Sequence, residues 1–171
     1  MPSRETLIQP VRALCAGFST NAPIPDILRQ FTTSPPPLAA EYGLKSLAPF
    51  LGRDFKGQHG VADYFRLVTE ILAVETMSFE SESSWMIDEN IRAVGLRGKG
   101  RFIWKDTGQI CDEEFFYRME IAQEEDDNAG KGQWKVQDYR VWSDTGAAYL
   151  ARLGKLAECG TEGGNDPTAA L

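Results

Sequence analysis

The segment VQDYRVWSDTGAAYLARLG carries Asp138, Arg140 and Asp144 close together. In a site screened from bulk water, a carboxylate rises in pKa toward neutrality and can take a proton from carbon or from water. An arginine beside it can orient and polarise a carbonyl or epoxide oxygen. Asp138 and Asp144 are therefore the candidate catalytic acids or bases, and Arg140 is a candidate ligand contact. Asp144 also precedes Thr145, Gly146, Ala147 and Ala148, where a side-chain oxygen capping a helix start stabilises it by about 1 kcal/mol. The two roles are compatible. Histidine chemistry is not expected, because the single histidine, His59, lies in what reads as a solvated turn between Gly57 and Gly60.

Strand parity decides whether the charged pair can act. If Asp138 and Arg140 project inward with Trp134, Val136 and Trp142, a pocket holds an ion pair in an aromatic frame. If Tyr139 and Val141 face inward instead, the pair lies on the outer face, where a second copy could pack. The neighbouring segment offers Phe115, Tyr117, Met119 and Ile121 as an apolar face opposite Phe116, Arg118 and Glu120. The aromatics Trp85, Trp104, Tyr117 and Trp142 fit a core or a rim. Trp85, Tyr117 and Trp142 join Glu41, Tyr42 and Arg140 as the candidate ligand-binding set, although Glu41 also reads as an exposed edge residue.

The elements that must position these residues follow from periodicity. In RETLIQPVRALCAGF, apolar Leu7, Ile8, Val11, Leu14, Cys15 and Phe18 recur at helical spacing behind a Ser3 cap. IPDILRQF predicts a short second helix, stopped by TTSPPP. LAAEYG reads as a short edge strand. After the 57–60 turn, Val61, Tyr64, Phe65, Leu67, Val68, Ile71 and Leu72 give the widest apolar face, that of a deeply buried third helix. The period then changes to two, predicting long strands over 75–87, 90–105, 109–124 and 133–143 joined by hairpin turns. The glycines Gly95, Gly98 and Gly100 lie along a strand and mark bending, not a phosphate loop. The expected class is α+β: a cone-shaped curved antiparallel sheet of one short and four long strands, packed on three N-terminal helices and closed by a short C-terminal helix.

Composition narrows the function classes. The 171 residues, 42% hydrophobic, suit one domain, placed at 1–157, with 158–171 (ECGTEGGNDPTAAL) as a disordered tail. A net charge of −7 argues against nucleic acid. Arg92, Arg97, Lys99, Arg101 and Lys105 read as the solvated side of a strand. Cys15, Cys111 and Cys159 suggest neither a disulfide framework nor a metal site. No segment reaches the roughly 18 apolar residues of a membrane span, and MPSRETLIQP lacks a secretory apolar core, so a cytoplasmic setting is expected. No metal or cofactor is expected either.

The order of elements, with FLGRDFKGQHGVADYFRLV, VGLRGKGRFIWKDTGQ and VQDYRVWSDTGAAYLARLG, resembles the nuclear transport factor 2-like superfamily, and within it the SnoaL-like branch, over residues 7–154. The resemblance implies a cone-shaped α+β barrel with a pocket between sheet and helices, often dimeric through the outer face of the sheet. Such proteins include isomerases, cyclases, epoxide hydrolases and dehydratases, and also proteins without catalysis. In SnoaL-like cyclases the last strand carries an acid, a tryptophan two places on and a catalytic aspartate six places on. The matching positions are Asp138, Arg140 and Asp144, with arginine in place of tryptophan. In ketosteroid isomerases the base lies on the first short strand, which points to Glu41 or Tyr42. Their first-helix tyrosine has no counterpart among Leu14, Cys15 and Phe18.

Two functions follow. One is a homodimeric module that binds a small hydrophobic molecule in an apolar pocket without catalysis. The other is a cofactor-independent isomerase, cyclase or hydrolase using Asp138 or Asp144. A cavity of roughly 300 Å³ reaching one of these carboxylates would favour the second, and a closed interior would remove it.

Overall fold

The computed structural model describes residues 2–124 and 132–156. Most of the expected turn EEDDNAGKG, the thiol of Cys159 and the tail at 158–171 lie outside the described residues.

Helix α1 spans Arg4–Ser19 and starts where the Ser3 hydroxyl oxygen accepts the Thr6 amide at 3.2 Å. Its Leu7, Val11 and Leu14 are fully buried, as their spacing requires. Helix α2, Ile24–Leu28, turns Ile27 into the core. Strands β1 (Leu38–Glu41) and β2 (Asp54–Lys56) precede helix α3, Gly57–Ile71. That helix begins four residues before Val61, so the expected turn at 57–60 is its first turn. Gly57, at φ +74°, permits the entry. His59 is nevertheless almost wholly exposed there.

Strands β3 (Leu72–Phe79), β4 (Met86–Asp88), β5 (Ala93–Trp104), β6 (Ile110–Gln123) and β7 (Trp134–Ser143) follow, and α4 (Thr145–Arg152) closes the chain. The single strand expected over 75–87 is two, separated by a 3₁₀ turn at Glu82–Ser84. A serine- and glutamate-rich run breaks it.

The sheet is open, curved and mixed, in the order β2-β1-β7-β6-β5-β3, with β4 beside β5. The all-antiparallel expectation needs correction at one place: β1 runs parallel to β7, pairing Glu41 with Val141. More than half of the chain's length separates the paired residues, Leu38 from Asp138, so no hairpin dictates the relative direction of these two strands. Nor is β1 an edge strand, because β2 covers its other side. With three residues, β2 is too short to show a period.

On β6 the inward phase is Cys111, Phe115, Tyr117, Met119 and Ile121, all buried. On β7 the pairing shifts between Glu120 and Ile121, so Gln137 is an extra residue. This bulge reverses the alternation: Val136 is inward before it, and Tyr139 and Val141 are inward after it. Gly98 on β5 leaves room for a ring, since a β-carbon there would stand 2.2 Å from Phe115. On the same strand Arg97, Lys99 and Arg101 point outward to Glu80, Glu114 and Asp112 at 3.1, 2.8 and 2.7 Å. They form a neutralised, solvated strand face.

Aromatic rings cluster around one residue within the mixed aliphatic and aromatic core. Tyr139, 2% exposed, has ring centroids of Tyr117, Phe18, Phe65, Phe31 and Tyr64 within 5.0 to 6.1 Å.

Candidate functional site

Two carboxyls lie among these apolar walls. Glu41, at the end of β1, accepts a hydrogen bond from the Tyr64 hydroxyl of α3 at 2.7 Å through Oε2. Its Oε1 accepts from the Ser143 hydroxyl of β7 at 2.9 Å. Burial raises the Glu41 pKa, and the two hydrogen bonds pull it partly back. Burial also holds the Tyr64 hydroxyl protonated, so it remains a donor.

Glu113 shares the inward phase of β6 and receives the Cys111 thiol at 3.3 Å. Burial pushes Glu113 up to about 7; the thiol hydrogen bond opposes this, and the negative charges of Glu41 and Asp144 add to it. A carboxyl at that position exchanges protons near neutral pH.

Glu41 and Glu113 line one cavity of about 30 Å³, together with Leu72, Trp104, Ser143 and Thr145. Residues of the 47–51 segment and α4 complete its wall. That volume admits one water and no larger molecule. A second space, about 120 Å³ and apolar, lies between α1, α2, α3 and β3, with Tyr64, Tyr117 and Tyr139 in its wall. Tyr64 belongs to both regions: its ring walls the larger space while its hydroxyl bonds the carboxylate in the smaller. Neither space is lined by Asp138 or Asp144.

The structure places the other sequence candidates as follows. Asp138 and Arg140 lie on the outer face of the sheet, joined by two bonds of 2.8 and 2.9 Å. Arg140 also donates to the Tyr42 hydroxyl at 3.1 Å, and Tyr42 stacks on Trp142 with centroids 4.6 Å apart. These four residues form one outward cluster, because the bulge at Gln137 turns Tyr139 and Val141 inward. Asp144 caps α4, accepting the Gly146 and Ala147 amides at 3.0 and 3.3 Å, while its charge still bears on Glu113. Trp85 is buried and its indole donates to the Glu80 carbonyl at 3.1 Å; it lines neither interior space. Tyr117 is inside, and its hydroxyl pairs with that of Tyr139. Glu41 is inside as well, contrary to its reading as an exposed edge residue, because β2 and α3 cover β1.

Glu113 is the residue that sequence reasoning missed. The signal was present: the apolar alternation of Phe115 to Ile121, continued back by one step, puts Glu113 on the same face.

Comparison with solved structures decides the fold. A ketosteroid isomerase-like protein from Erwinia carotovora atroseptica superposes with a TM-score of 0.61 at 14% identity, covering 84% of this chain and 98% of that one. A putative isomerase from Bacillus subtilis gives 0.64 at 11% identity, covering 90% and 97%. An NTF2-like protein from Burkholderia thailandensis gives 0.63 at 14% identity, covering 85% and 96%. The chain has the nuclear transport factor 2-like fold. No family model and no curated protein sequence matches it. The BvnE pinacolase from Penicillium brevicompactum shares the nuclear transport factor 2-like architecture too, with a TM-score of 0.60 at 12% identity, covering 92% of this chain and 98% of that one. Identities this low carry the fold and not the chemistry. In this nuclear transport factor 2-like chain, no described helix is long and apolar enough to cross a membrane. Among the described residues, no three His, Cys, Asp or Glu side chains gather as a metal site.

Proposed function

We propose that the protein is a cofactor-independent acid–base catalyst for a small, largely apolar molecule bound between sheet and helices. Glu41 is the base and Glu113 the acid. The observation that carries this reading is the pairing of two pKa-raised carboxyls on one small cavity, with Glu113 near 7. Keeping two carboxyls out of water costs stability, and groups so placed are matched to proton transfer at neutral pH. Isomerase and pinacolase neighbours in the same fold agree with it.

Substrate reaches the pair only when the cover moves. Arg152 of α4 donates to the Ser46 carbonyl at 2.9 Å and also to that of Leu47, so the helix and the start of the 46–51 segment are tied together over the cavity.

The test is exchange of carbon-bound hydrogen beside the carbonyl of cyclohexanone in D₂O. The protein should speed it, and Glu41→Gln should lose about 10² to 10⁴ of that rate. Equal rates for the two proteins would reject the assignment. Ketone binding without exchange would support the second reading, ligand binding alone, which the apolar space of about 120 Å³ favours. An engineered apolar cavity of about 150 Å³ holds benzene.

The outer face supports a homodimer. Met86, Trp142 and Tyr42 are 60%, 39% and 43% exposed, and Phe116 lies against Trp142 at 6.1 Å, forming an apolar strip across the strands. Such a strip is stabilised by a second copy. Sedimentation should give a dimer that Trp142→Glu converts to monomer; a monomer at all concentrations of the unaltered protein would end this proposal. A cytoplasmic setting fits the free, buried thiols of Cys15 and Cys111.

A further inference from the structure

On the sheet, Arg97, Lys99 and Arg101 each lie within 3.1 Å of a carboxylate, and Arg12 and Arg66 do the same on α1 and α3. Lys45, Arg53 and Lys155 differ. All three are exposed, and among the described residues none of them has an ion-pair partner. They surround an exposed apolar set, Leu44, Tyr149 and Leu153, which are 68%, 40% and 47% exposed. The 44–53 segment and α4 form one surface here. Arg152 ties the helix to the carbonyls of Ser46 and Leu47, and a β-carbon on Gly43 would stand 3.0 Å from the Thr145 methyl. Tyr149, one turn further along α4, shares a cavity wall with Leu47 and Leu51. The Lys45 side chain lies against Gly52, next to Arg53, with its Cγ 3.4 Å from where a β-carbon would be. Leu153 follows Tyr149 by one turn, its amide donating to the Tyr149 carbonyl at 3.1 Å.

Unpaired cations around exposed apolar side chains fit a partner that is both anionic and apolar. Lysine is depleted in protein–protein interfaces. At a lipid surface, by contrast, its aliphatic stem lies along acyl chains while the ammonium reaches the headgroups, and tyrosine suits the same boundary. We propose that α4 and the 44–53 segment dock on an anionic lipid surface, with Lys45, Arg53 and Lys155 on the phosphates and Leu44, Tyr149 and Leu153 at the acyl boundary. Such a peripheral contact needs no membrane-spanning helix. Asp54 and Asp144 are the acids nearest in sequence, and the Asp144 carboxylate is turned to the α4 amides. Charges in physiological salt act over only about 8 Å, so this local balance decides the contact and not the net charge of −7. The docking surface does not depend on the acid–base reading. It does place the wall formed by Leu47, Leu51 and Tyr149 toward the lipid, where a dissolved apolar molecule would meet the cover of the Glu41 and Glu113 cavity first.

The test is cosedimentation of the full chain with vesicles of phosphatidylcholine alone and of phosphatidylcholine mixed with phosphatidylserine. Binding is expected to the mixed vesicles only, and to be lost at about 1 M salt, where screening shortens to about 3 Å. Each Lys or Arg near an anionic surface tightens binding about fivefold. The double variant Lys45→Gln with Lys155→Gln should therefore bind roughly twentyfold more weakly, and Leu44→Ser roughly tenfold. Lys99→Gln, which removes a paired cation from the sheet, should bind as the unaltered protein does. Composition and salt dependence are read on the unaltered protein, so they do not rest on how the variants fold. Failure to bind the mixed vesicles would overturn the proposal, and so would equal binding to both kinds. Loss of binding in Lys99→Gln as large as in the double variant would overturn its placement on α4 and the 44–53 segment. Retention on immobilised polyglutamate without vesicle binding would assign the surface to an acidic protein instead of lipid.

Discussion

Glu113→Gln is expected to remove a fall in folding stability that the unaltered protein shows as pH rises from about 4.5 to about 7. The sign follows from linkage. The folded-state pKa of Glu113 is raised above its unfolded value, so between those two values the native state holds a proton that the unfolded chain has released. Raising the pH through this window therefore favours unfolding, and the native state bears the full penalty above about 7. A separation of this size corresponds to roughly 3 kcal/mol, an order-of-magnitude figure. Above neutrality the variant should be the more stable protein by up to that amount, and below pH 4 the two should converge. Urea titrations at a series of pH values measure the difference. Parallel curves, with no gain for the variant at high pH, would show that Glu113 is solvated.

Tyr139→Ala is expected to cost about 3–5 kcal/mol, the range for deleting a fully buried ring. The residue is 2% exposed and touches rings from α1, α3, β6 and the segment after α2, so its loss opens a hole where four parts of the chain meet. Tyr139→Phe keeps the ring and removes only the hydroxyl paired with Tyr117, which should cost about 1 kcal/mol. Denaturant unfolding of both variants separates packing from hydrogen bonding. An alanine variant within 1 kcal/mol of the parent would mean that the rings do not form one core.

Much of this architecture was legible in the residues. Apolar spacing located α1 and α3, and alternation located β5, β6 and β7 to within a few residues, because long periodic elements repeat their signal. The Asp144 cap was legible from the small residues after it. What escaped was non-local or short. The parallel pairing of β1 with β7 joins residues about a hundred positions apart, and β2 has three residues. The bulge at Gln137 was the costliest omission: one extra residue decides between the two parities left open and puts Asp138 and Arg140 on the outer face. Glu113, by contrast, needed only one more step along an alternation already recognised on β6. Glu41 could not be judged from its strand alone, since its burial comes from β2, Tyr64 and Ser143.

The account depends on carboxyls kept from water inside the cone. Its most direct test is a pH titration of the glutamate side-chain carboxyl carbons by NMR. One midpoint near 7 is predicted, absent in Glu113→Gln and shifted downward in Glu41→Gln, where the neighbouring negative charge is gone. If every glutamate titrates below about 5, there is no buried acid–base pair and the account is contradicted.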